Sequence, residues 1–233
     1  MKVFKFGGAS INSIERIQNL KVILEGFTGE QLMIIISAMG KTTNALEKVV
    51  ESFYAGKKEE ALNLWEVIKN QHVTTAKYVL VTHFNPCLEQ LNNFFTEVEW
   101  MLHDKPQREY DYYYDQIVCV GELLSTTIIS HFLNEMNISN KWIDVRDILR
   151  TDDNFRDANV DWNYTAQKVN QLKEEFFSTS NTQHSTSNIQ YSHRVLRTTS
   201  NTEHPTSDIR YQTSDIILTQ GFIGATDENE STT

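Results

Sequence analysis

The apolar residues at the start of the chain change from a strand pattern to a helical pattern. Val3, Phe4 and Phe6 favour a strand, which Gly7 and Gly8 would end. A helical spacing of apolar residues begins just beyond, at Ile11, Ile14, Ile17 and Leu20. The pattern therefore predicts a strand that passes through a glycine turn into a helix.

A second strand is predicted from Leu32 to Ser37, because a continuous apolar run suits a parallel strand buried on both faces. A helix is predicted from Ala45 to about Ala55, after the loop 38–44. This order of elements indicates a right-handed βαβ unit. Ligands in such sheets lie beyond the carboxyl ends of the strands, so residues 5–10 and 37–44 are expected side by side at that edge.

The pattern farther along predicts mostly helices and one late strand. Residues 57–103 are amphipathic, with a break at 84–86, and predict a helical subdomain at about 57–105. Its predicted core contains Trp65, Ile68, Phe94, Phe95, Trp100 and Leu102. The tyrosine-rich stretch 105–115 is predicted as a packed loop. The remaining predicted elements are a helix at about 116–136, a strand at 141–144, a helical turn at 145–149, a helix at about 161–177, and a strand at 215–219 before a glycine turn.

A tandem duplication interrupts this pattern. Residues 179–191 (TSNTQHSTSNIQY) and 199–211 (TSNTEHPTSDIRY) match at nine of thirteen positions. Such a Ser/Thr/Asn-rich tract lacks the apolar residues that would offset its ordering entropy. We therefore predict three parts: an ordered part at 1–177, a polar, disordered surface insertion without catalytic role at 178–213, and resumed order at 214–233.

Composition narrows the class of protein. The 233 residues carry a net charge of −10 and no lysine- or arginine-rich stripe, which makes nucleic acid an unfavourable partner. The apolar run 32–36 is far too short to span a membrane. Two cysteines make no disulfide framework, and the chain begins directly on a strand without a signal-peptide pattern. We expect a protein of the reducing cytoplasm, with Cys119 as a buried packing residue.

Two loops are candidates for binding an anion. Lys5 and the glycine turn after it could bind phosphate through backbone N–H groups and a full cation, although a tight turn with a solvated lysine fits equally well. The piece Gly40-Lys41-Thr42 is not a P-loop, because the required earlier glycine is replaced by Ile35. The seven histidines show no metal-ligand spacing and are interpreted as surface or satisfied core groups.

Glu122 is the most conspicuous polar residue of the apolar helix. Its neighbours are Ile117, Val118, Val120, Leu123 and Leu124. A carboxylate in such surroundings needs a partner. The partner could be the ammonium group of a substrate or simply an arginine.

Five motifs in order resemble the aspartokinase family. They are KFGGAS, SAMGKTTN, GELLST, WIDVRDILRTDDNF and TQGFIGATDENESTT. The resemblance implies an α/β amino-acid-kinase sandwich, with a mainly parallel central sheet and a helical subdomain, truncated at the C-terminus. It also implies the ATP-dependent phosphorylation of L-aspartate to 4-phospho-L-aspartate, the first step towards lysine, threonine and methionine.

The resemblance assigns one group of residues to the nucleotide. Lys5 resembles the catalytic lysine that contacts the transferred phosphates, and it shares the nucleotide-side loop with Phe6, Gly7 and Gly8. The implied cofactor is ATP with Mg²⁺, and phosphoryl transfer then depends on positioning and charge stabilisation. No protein residue is implied as a metal ligand.

A second group is implied on the aspartate side. Ser37 and Thr43 resemble the hydroxyl residues that hold aspartate, and Glu122 resembles the glutamate that binds its α-ammonium. Phe222 lies in the family's Gly-Phe turn near the substrate. The expected partners are therefore L-aspartate and ATP, without nucleic acid or membrane, and the full-length parent is expected to be a homo-oligomer.

The chain also departs from the family pattern. Ala9 replaces a threonine of the first motif, and the sequence stops at Thr233, before a motif like LGRGGSD that carries an arginine and an aspartate of the site. We therefore expect little or no kinase activity from this chain alone. The alternatives are a non-catalytic amino-acid-binding protein, or a related kinase with another acceptor, against which Glu122 argues.

Overall fold

A parallel four-stranded sheet is the centre of the fold. The computed structural model describes residues 1–177 and 215–233, so the duplicated tract lies outside the described residues. The strands are β1 (Lys2–Phe6), β2 (Leu32–Ile36), β3 (Lys141–Trp142) and β4 (Ile216–Gln220). Their order across the sheet is β1-β2-β4-β3, and every pairing is parallel. The predicted mainly parallel sheet is confirmed.

Helices form the connections of this sheet. They are α1 (Ile14–Glu25), α2 (Thr42–Tyr54), α3 (Lys58–Val79), α4 (Phe84–His103), α5 (Tyr110–Val118), α6 (Val120–Glu135) and α7 (Trp162–Phe177). Short 3-10 turns lie at Gly8–Ile11 and Val145–Asp147. A two-stranded hairpin, β5 (Gly224–Ala225) with β6 (Ser231–Thr232), follows β4.

The two faces of β2 are buried to different degrees. Leu32, Ile34 and Ile36 are fully buried in the core, whereas Met33 and Ile35 on the other face are half-buried. The prediction of burial on both faces therefore holds fully for one face only. The second face instead lines an apolar groove of about 410 Å³, together with residues of α7 such as Val169 and Leu172.

Helix α6 crosses the centre of the molecule. It is apolar on nearly all sides, as is typical of a helix surrounded by protein. The segment Tyr110–Glu135 is long and apolar enough to cross a membrane, but 89% of its most apolar window is buried inside the fold. Its apolar composition is therefore accounted for by its place in the core.

Helices α3 and α4 pack as a pair, and most of their predicted core residues are buried. Trp65 and Phe95 meet edge to face, with ring centroids 5.9 Å apart. Trp100 is the exception, because its side chain is 72% exposed. The prediction of Trp100 as a core residue is wrong, since it lies on the outer face of α4, next to the buried Leu102 but not in phase with it.

The prediction of a loop over residues 105–115 is also wrong, because α5 begins at Tyr110. Tyr113 is buried and meets Phe53 of α2 edge to face, with centroids 5.1 Å apart. The Arg108 guanidinium lies 3.7 Å from the centroid of Tyr112, and that of Arg156 lies 4.4 Å from Tyr114. Cation–π contacts with Arg108, just before the helix, and with Arg156, far along the chain, thus stabilise a helix whose polar pattern resembles a loop.

The predicted helix at 116–136 is interrupted. Cys119 ends α5 and precedes α6, so the chain forms two helices in succession. Cys119 is fully buried, which confirms its interpretation as a packing residue, and burial raises the pKa of its thiol to about 11. Such a thiol remains protonated and unreactive at neutral pH.

Side chains of α5 hold the hairpin β5–β6 in place. The Gln116 amide donates to the Ser231 carbonyl at 2.8 Å and accepts from its N–H at 2.9 Å. The fully buried Asp115 carboxylate accepts from the backbone N–H groups of Thr233 and Arg156, at 2.9 Å each. These bonds imitate a strand pairing and fix the hairpin beside the end of β4.

Glu135, at the end of α6, caps the start of α4. Its carboxylate accepts from the backbone N–H groups of Thr82 and His83, at 3.2 and 2.9 Å. These bonds lower the pKa of Glu135 to about 2.

We expect Glu135→Gln to lower the melting temperature at pH 7. A depressed carboxyl pKa stabilises the folded state above the unfolded value of 4.5, and this contribution is lost as the pH falls towards 2. Melts of variant and wild type should therefore converge between about pH 4.5 and 2. A difference that is independent of pH would contradict this account, and Glu89→Gln at an exposed position of α4 is the control.

Candidate functional site

The loops after β1 and β2 are in direct contact at the carboxyl edge of the sheet. The Ser37 N–H donates to the Phe6 carbonyl at 3.1 Å, and the Gly40 N–H donates to the Gly8 carbonyl at 3.0 Å. This is the arrangement that the βαβ pattern predicts. The candidate anion-binding turn therefore lies against the loop that carries Ser37.

Gly8 is the point of closest approach between these loops. A Cβ atom at Gly8 would lie 2.4 Å from the Ala38 carbonyl oxygen and 3.1 Å from that of Gly40. Both neighbours are backbone atoms that cannot move aside independently. Gly7, by contrast, has φ −73° and open space around its Cα. Of the two glycines, only Gly8 is required by packing.

Glu122 reaches this edge from α6. The side chain is 4% exposed, and its Oε1 accepts the Ala38 N–H at 2.8 Å. The buried Oε2 has no hydrogen-bond partner among the described residues. The sequence left an arginine open as the partner of Glu122, but the group that it contacts is a backbone N–H.

Burial raises the pKa of Glu122 to about 7, because desolvation disfavours the carboxylate. The Ala38 N–H, the positive charge of Lys5 and the backbone N–H of Gly221 oppose this rise. Near neutral pH the group lies close to the midpoint of its titration. A buried carboxyl with one free oxygen can accept a hydrogen-bonded cation, and a bound cation would shift it to the charged form.

Two hydroxyl groups of α6 attach the walls of the site to the helix that carries Glu122. Ser125, fully buried, donates to the Ser37 carbonyl at 2.9 Å. Thr126 accepts from the Gln220 amide at 2.8 Å. One turn of α6 thus contacts both the loop after β2 and the end of β4.

Phe222 lies in the turn after β4. Its φ of 72° is in the left-handed region, which is uncommon for a residue with a side chain. Its ring is 62% exposed, and the preceding Gly221 has its N–H close enough to Glu122 to lower that pKa. The turn therefore forms a second wall of the site, beside Glu122 at the end of β4, and Phe222 also lines the apolar groove with Met33 and Ile35.

The predicted site residues differ in how directly they are connected to Glu122. Phe6, Gly8, Ser37 and Glu122 are linked by the hydrogen bonds described above. Lys5, at the exposed end of β1, influences Glu122 through its charge and has no ion pair within the described part of the chain. Thr43 is half-buried in the first turn of α2, next to Thr42, whose methyl group borders Gly121.

Metal-ligating clusters are absent from residues 1–177 and 215–233: no three His, Cys, Asp or Glu side chains are arranged to hold an ion. His72 is fully buried and bonds the Ile68 carbonyl through Nδ1, but its Nε2 has no partner among the described residues. The prediction that buried histidines have hydrogen-bond partners thus holds for only one of the two ring nitrogens of His72. Burial lowers the pKa of His72, which keeps the ring neutral.

Sequence reasoning missed Ser125, Thr126 and Gln220. All three are polar and buried within apolar elements. That contrast is visible in GELLST and TQGF, the same signal that singled out Glu122. Had we applied this criterion to every polar residue of the two motifs, it would have identified Ser125, Thr126 and Gln220.

The chain was compared with known proteins. A sequence model described as the amino acid kinase family matches residues 1–232. The chain is 32% identical to aspartokinase 2, chloroplastic, of Arabidopsis thaliana over 163 residues, which cover 68% of this chain and 29% of that protein. It is 25% identical to the lysine-sensitive aspartokinase 3 of Escherichia coli over 159 residues, 68% of this chain and 34% of that one. The chain thus spans about a third or less of these relatives.

Solved structures share the fold. Aspartokinase III of E. coli, in complex with lysine and aspartate, superposes with a TM-score of 0.71 at 21% identity. The match covers all of this chain and 43% of that one. Aspartate kinase of Clostridium acetobutylicum gives a TM-score of 0.63 at 14% identity, again over the whole chain and 41% of the other.

Proposed function

Since this chain belongs to the amino acid kinase family, we propose that it supplies the amino-acid side of an aspartokinase, an enzyme that phosphorylates the side-chain carboxylate of L-aspartate with ATP. The product would be 4-phospho-L-aspartate, a precursor of lysine, threonine and methionine. Resemblance to aspartokinases in sequence and in fold supports this assignment. Because the chain spans only part of those proteins, the complete reaction is proposed for the whole enzyme.

The observation that carries the proposal is the state of Glu122. Its Oε2 is buried, has no hydrogen-bond partner among the described residues, and lies between the loops that end β2 and β4. A carboxylate held in this way is suited to the α-ammonium group of an amino acid. An acceptor without a free ammonium group would leave the carboxylate uncompensated, which disfavours carbamate or N-acetylated substrates.

Ser37, Thr43 and Phe222 would complete the aspartate pocket. Ser37 and Thr43 offer hydroxyl donors at the start of the loop after β2 and in the first turn of α2, where the positive end of the helix dipole favours a carboxylate. Phe222 would cover another side. The two hydroxyl groups offer donors of the kind that a dicarboxylic substrate needs.

The nucleotide would lie at the glycine turn. Lys5 is exposed and without an ion pair among the described residues, and the turn after it is pressed against the loop carrying Ser37. These residues fit a phosphate group, with Lys5 as the catalytic lysine and Phe6, Gly7 and Gly8 as the loop around it. Mg²⁺ would be carried by the phosphates of ATP and would neutralise charge during transfer.

We further propose a cytoplasmic location and a homo-oligomeric full-length enzyme. Cys87 and Cys119 are free and buried, which suits a reducing compartment. The chloroplastic relatives make an organelle the alternative. Nucleic acid and membranes are not among the partners that we propose.

Thermal melting of the 233-residue chain with ligands tests the proposal. A ligand that binds only the folded state increases the free energy of unfolding, by about 2.7 kcal/mol at a ligand concentration one hundred times Kd. The melting temperature rises as a result. We expect L-aspartate to raise it, and D-aspartate and L-glutamate to leave it unchanged. A shift with MgATP would show that the glycine turn binds nucleotide within this chain, and an assay for ADP release would then separate an active kinase from a non-catalytic binding protein. No shift with L-aspartate would refute the proposed amino-acid site for this chain.

A further inference from the structure

Gln220, the last residue of β4, connects three elements beneath the candidate amino-acid pocket. The side chain is buried, and its Oε1 accepts the Val145 N–H at 2.7 Å. Its Nε2 donates to the Thr126 hydroxyl at 2.8 Å. One amide thus joins β4, the turn after β3 and helix α6.

Thr126 has no hydrogen-bonding capacity left for another partner. Its hydroxyl donates to the Glu122 carbonyl at 2.8 Å and accepts from Gln220 and from the Trp142 indole, the latter at 3.0 Å. A hydroxyl offers one donor and two acceptor sites, so all are occupied. The pair therefore has one defined arrangement, and any displacement of β4 along α6 breaks a buried bond.

The position of this pair determines the position of the second wall. Gly221 and Phe222 follow Gln220 directly, and Glu122 precedes Thr126 by one turn of α6. The hydrogen bond between the two side chains thus ties the residue before the Gly221–Phe222 turn to the helix that carries Glu122, next to the approach of the Gly221 N–H to the Glu122 carboxylate.

We infer that Gln220 and Thr126 are positioning residues, whose hydrogen bond fixes the Gly221–Phe222 turn at the distance from Glu122 that amino-acid binding requires. The inference rests on the proposed function. It predicts that weakening the pair impairs amino-acid binding selectively, because the glycine turn on β1 is attached to the other wall through Ser37 and Gly40.

The test uses Thr126→Val, which keeps the shape but removes the hydroxyl, with isothermal titration of the full chain. We expect Kd for L-aspartate to rise by about tenfold or more, with any MgATP affinity unchanged, because the substitution removes the hydroxyl's bonds with Gln220, with the Trp142 indole and with the Glu122 carbonyl. Thr126→Ser should restore binding. Trp142→Phe is the matched control, because it removes the other donor to Thr126 and leaves the bond with Gln220 intact.

The outcomes separate this inference from the proposed function. Wild-type affinity in Thr126→Val would overturn the inference, and so would an equal loss in Trp142→Phe. If Thr126→Val does not fold, the same titration is carried out with Gln220→Met. If neither variant folds, the pair has only a structural role, and the inference is overturned. If the wild-type chain binds no L-aspartate, the proposed function fails, and the carboxyl titration of Glu122 by NMR decides: a shift in Thr126→Val supports the inference, and an unchanged titration overturns it.

Discussion

Glu122→Gln is expected to abolish the binding of L-aspartate while making the unliganded chain more stable above pH 7. The variant retains an oxygen that can accept the Ala38 N–H, but it removes the negative charge that would attract an ammonium group. Loss of a charged hydrogen bond at a buried site weakens binding by about 2–5 kcal/mol, or roughly thirtyfold and more. The melting shift with L-aspartate should therefore disappear.

The gain in stability follows from the raised pKa of Glu122. Between the unfolded value of 4.5 and the folded value of about 7, the folded state holds more protons than the unfolded state. Stability from this group is therefore full below about pH 4.5 and falls as the pH rises towards 7. The loss amounts to roughly 3 kcal/mol above that range, and the neutral glutamine avoids it.

Urea denaturation of both proteins from pH 4.5 to 8.5 measures this difference. The unfolding free energies should lie close together at acidic pH and diverge as the pH rises. A variant that is less stable than wild type at pH 8 would contradict the account of Glu122 as a strained buried carboxylate. Glu174→Gln, at an exposed position of α7, should match wild type at every pH.

Gly8→Ala is expected to be the most damaging single-methyl substitution in the site. The added Cβ would meet the Ala38 carbonyl oxygen at 2.4 Å, so the loops after β1 and β2 must separate. Overpacking of this kind costs about 3 kcal/mol when backbone has to move. Because Ala38 also donates its N–H to Glu122, we expect the L-aspartate response to be lost together with any MgATP response.

Gly7→Ala provides the matched control one residue earlier. Gly7 already has a backbone conformation that alanine adopts, and no atom lies within 4 Å of an added Cβ. Its stability should equal that of wild type or exceed it by about 0.5 kcal/mol, because alanine restricts the unfolded chain. Denaturation of both variants checks the prediction, and equal losses in the two would contradict the packing argument.

The sequence predicts β1, β2 and β4 well because each is a five-residue strand rich in apolar residues with a glycine turn soon after it. Strand β3 is shorter than the predicted 141–144, because only Lys141 and Trp142 pair with β4. The apolar run 32–36 predicts β2 and its parallel pairing, and the order of strands and helices predicts the edge at which ligands are expected.

Helix α5 escapes prediction because its tyrosines are covered by Arg108 and Arg156, which lie outside it in sequence. Strands β5 and β6 are not predicted because a strand of two residues has no periodic pattern. In addition, β6 is held by Asp115 and Gln116, which belong to helix α5 far away in the sequence.

The candidate site also has one part that the sequence predicts and one part that it does not. Glu122 stands out in the sequence because a carboxylate among apolar residues is costly, and the structure places it at the predicted edge. Its contacts were not predictable, because the Ala38 N–H and Gly221 are backbone groups that carry no side-chain signal. The roles of Ser125 and Gln220 depend on pairings across the whole chain, which a single sequence does not reveal.

The pairing of β2 with β4 brings together segments that lie far apart in the sequence, at residues 32–36 and 216–220. During synthesis, β1, β2 and the helices up to α7 emerge long before β4 does, so one edge of β2 must wait without its neighbour. Closing so long a loop is slow, and an unpaired strand edge is open to association with other chains meanwhile. Because the Gly221–Phe222 turn follows β4 directly, the proposed amino-acid site can form only once β4 has paired with β2. An amino acid bound there would stabilise the chains in which this pairing has been made.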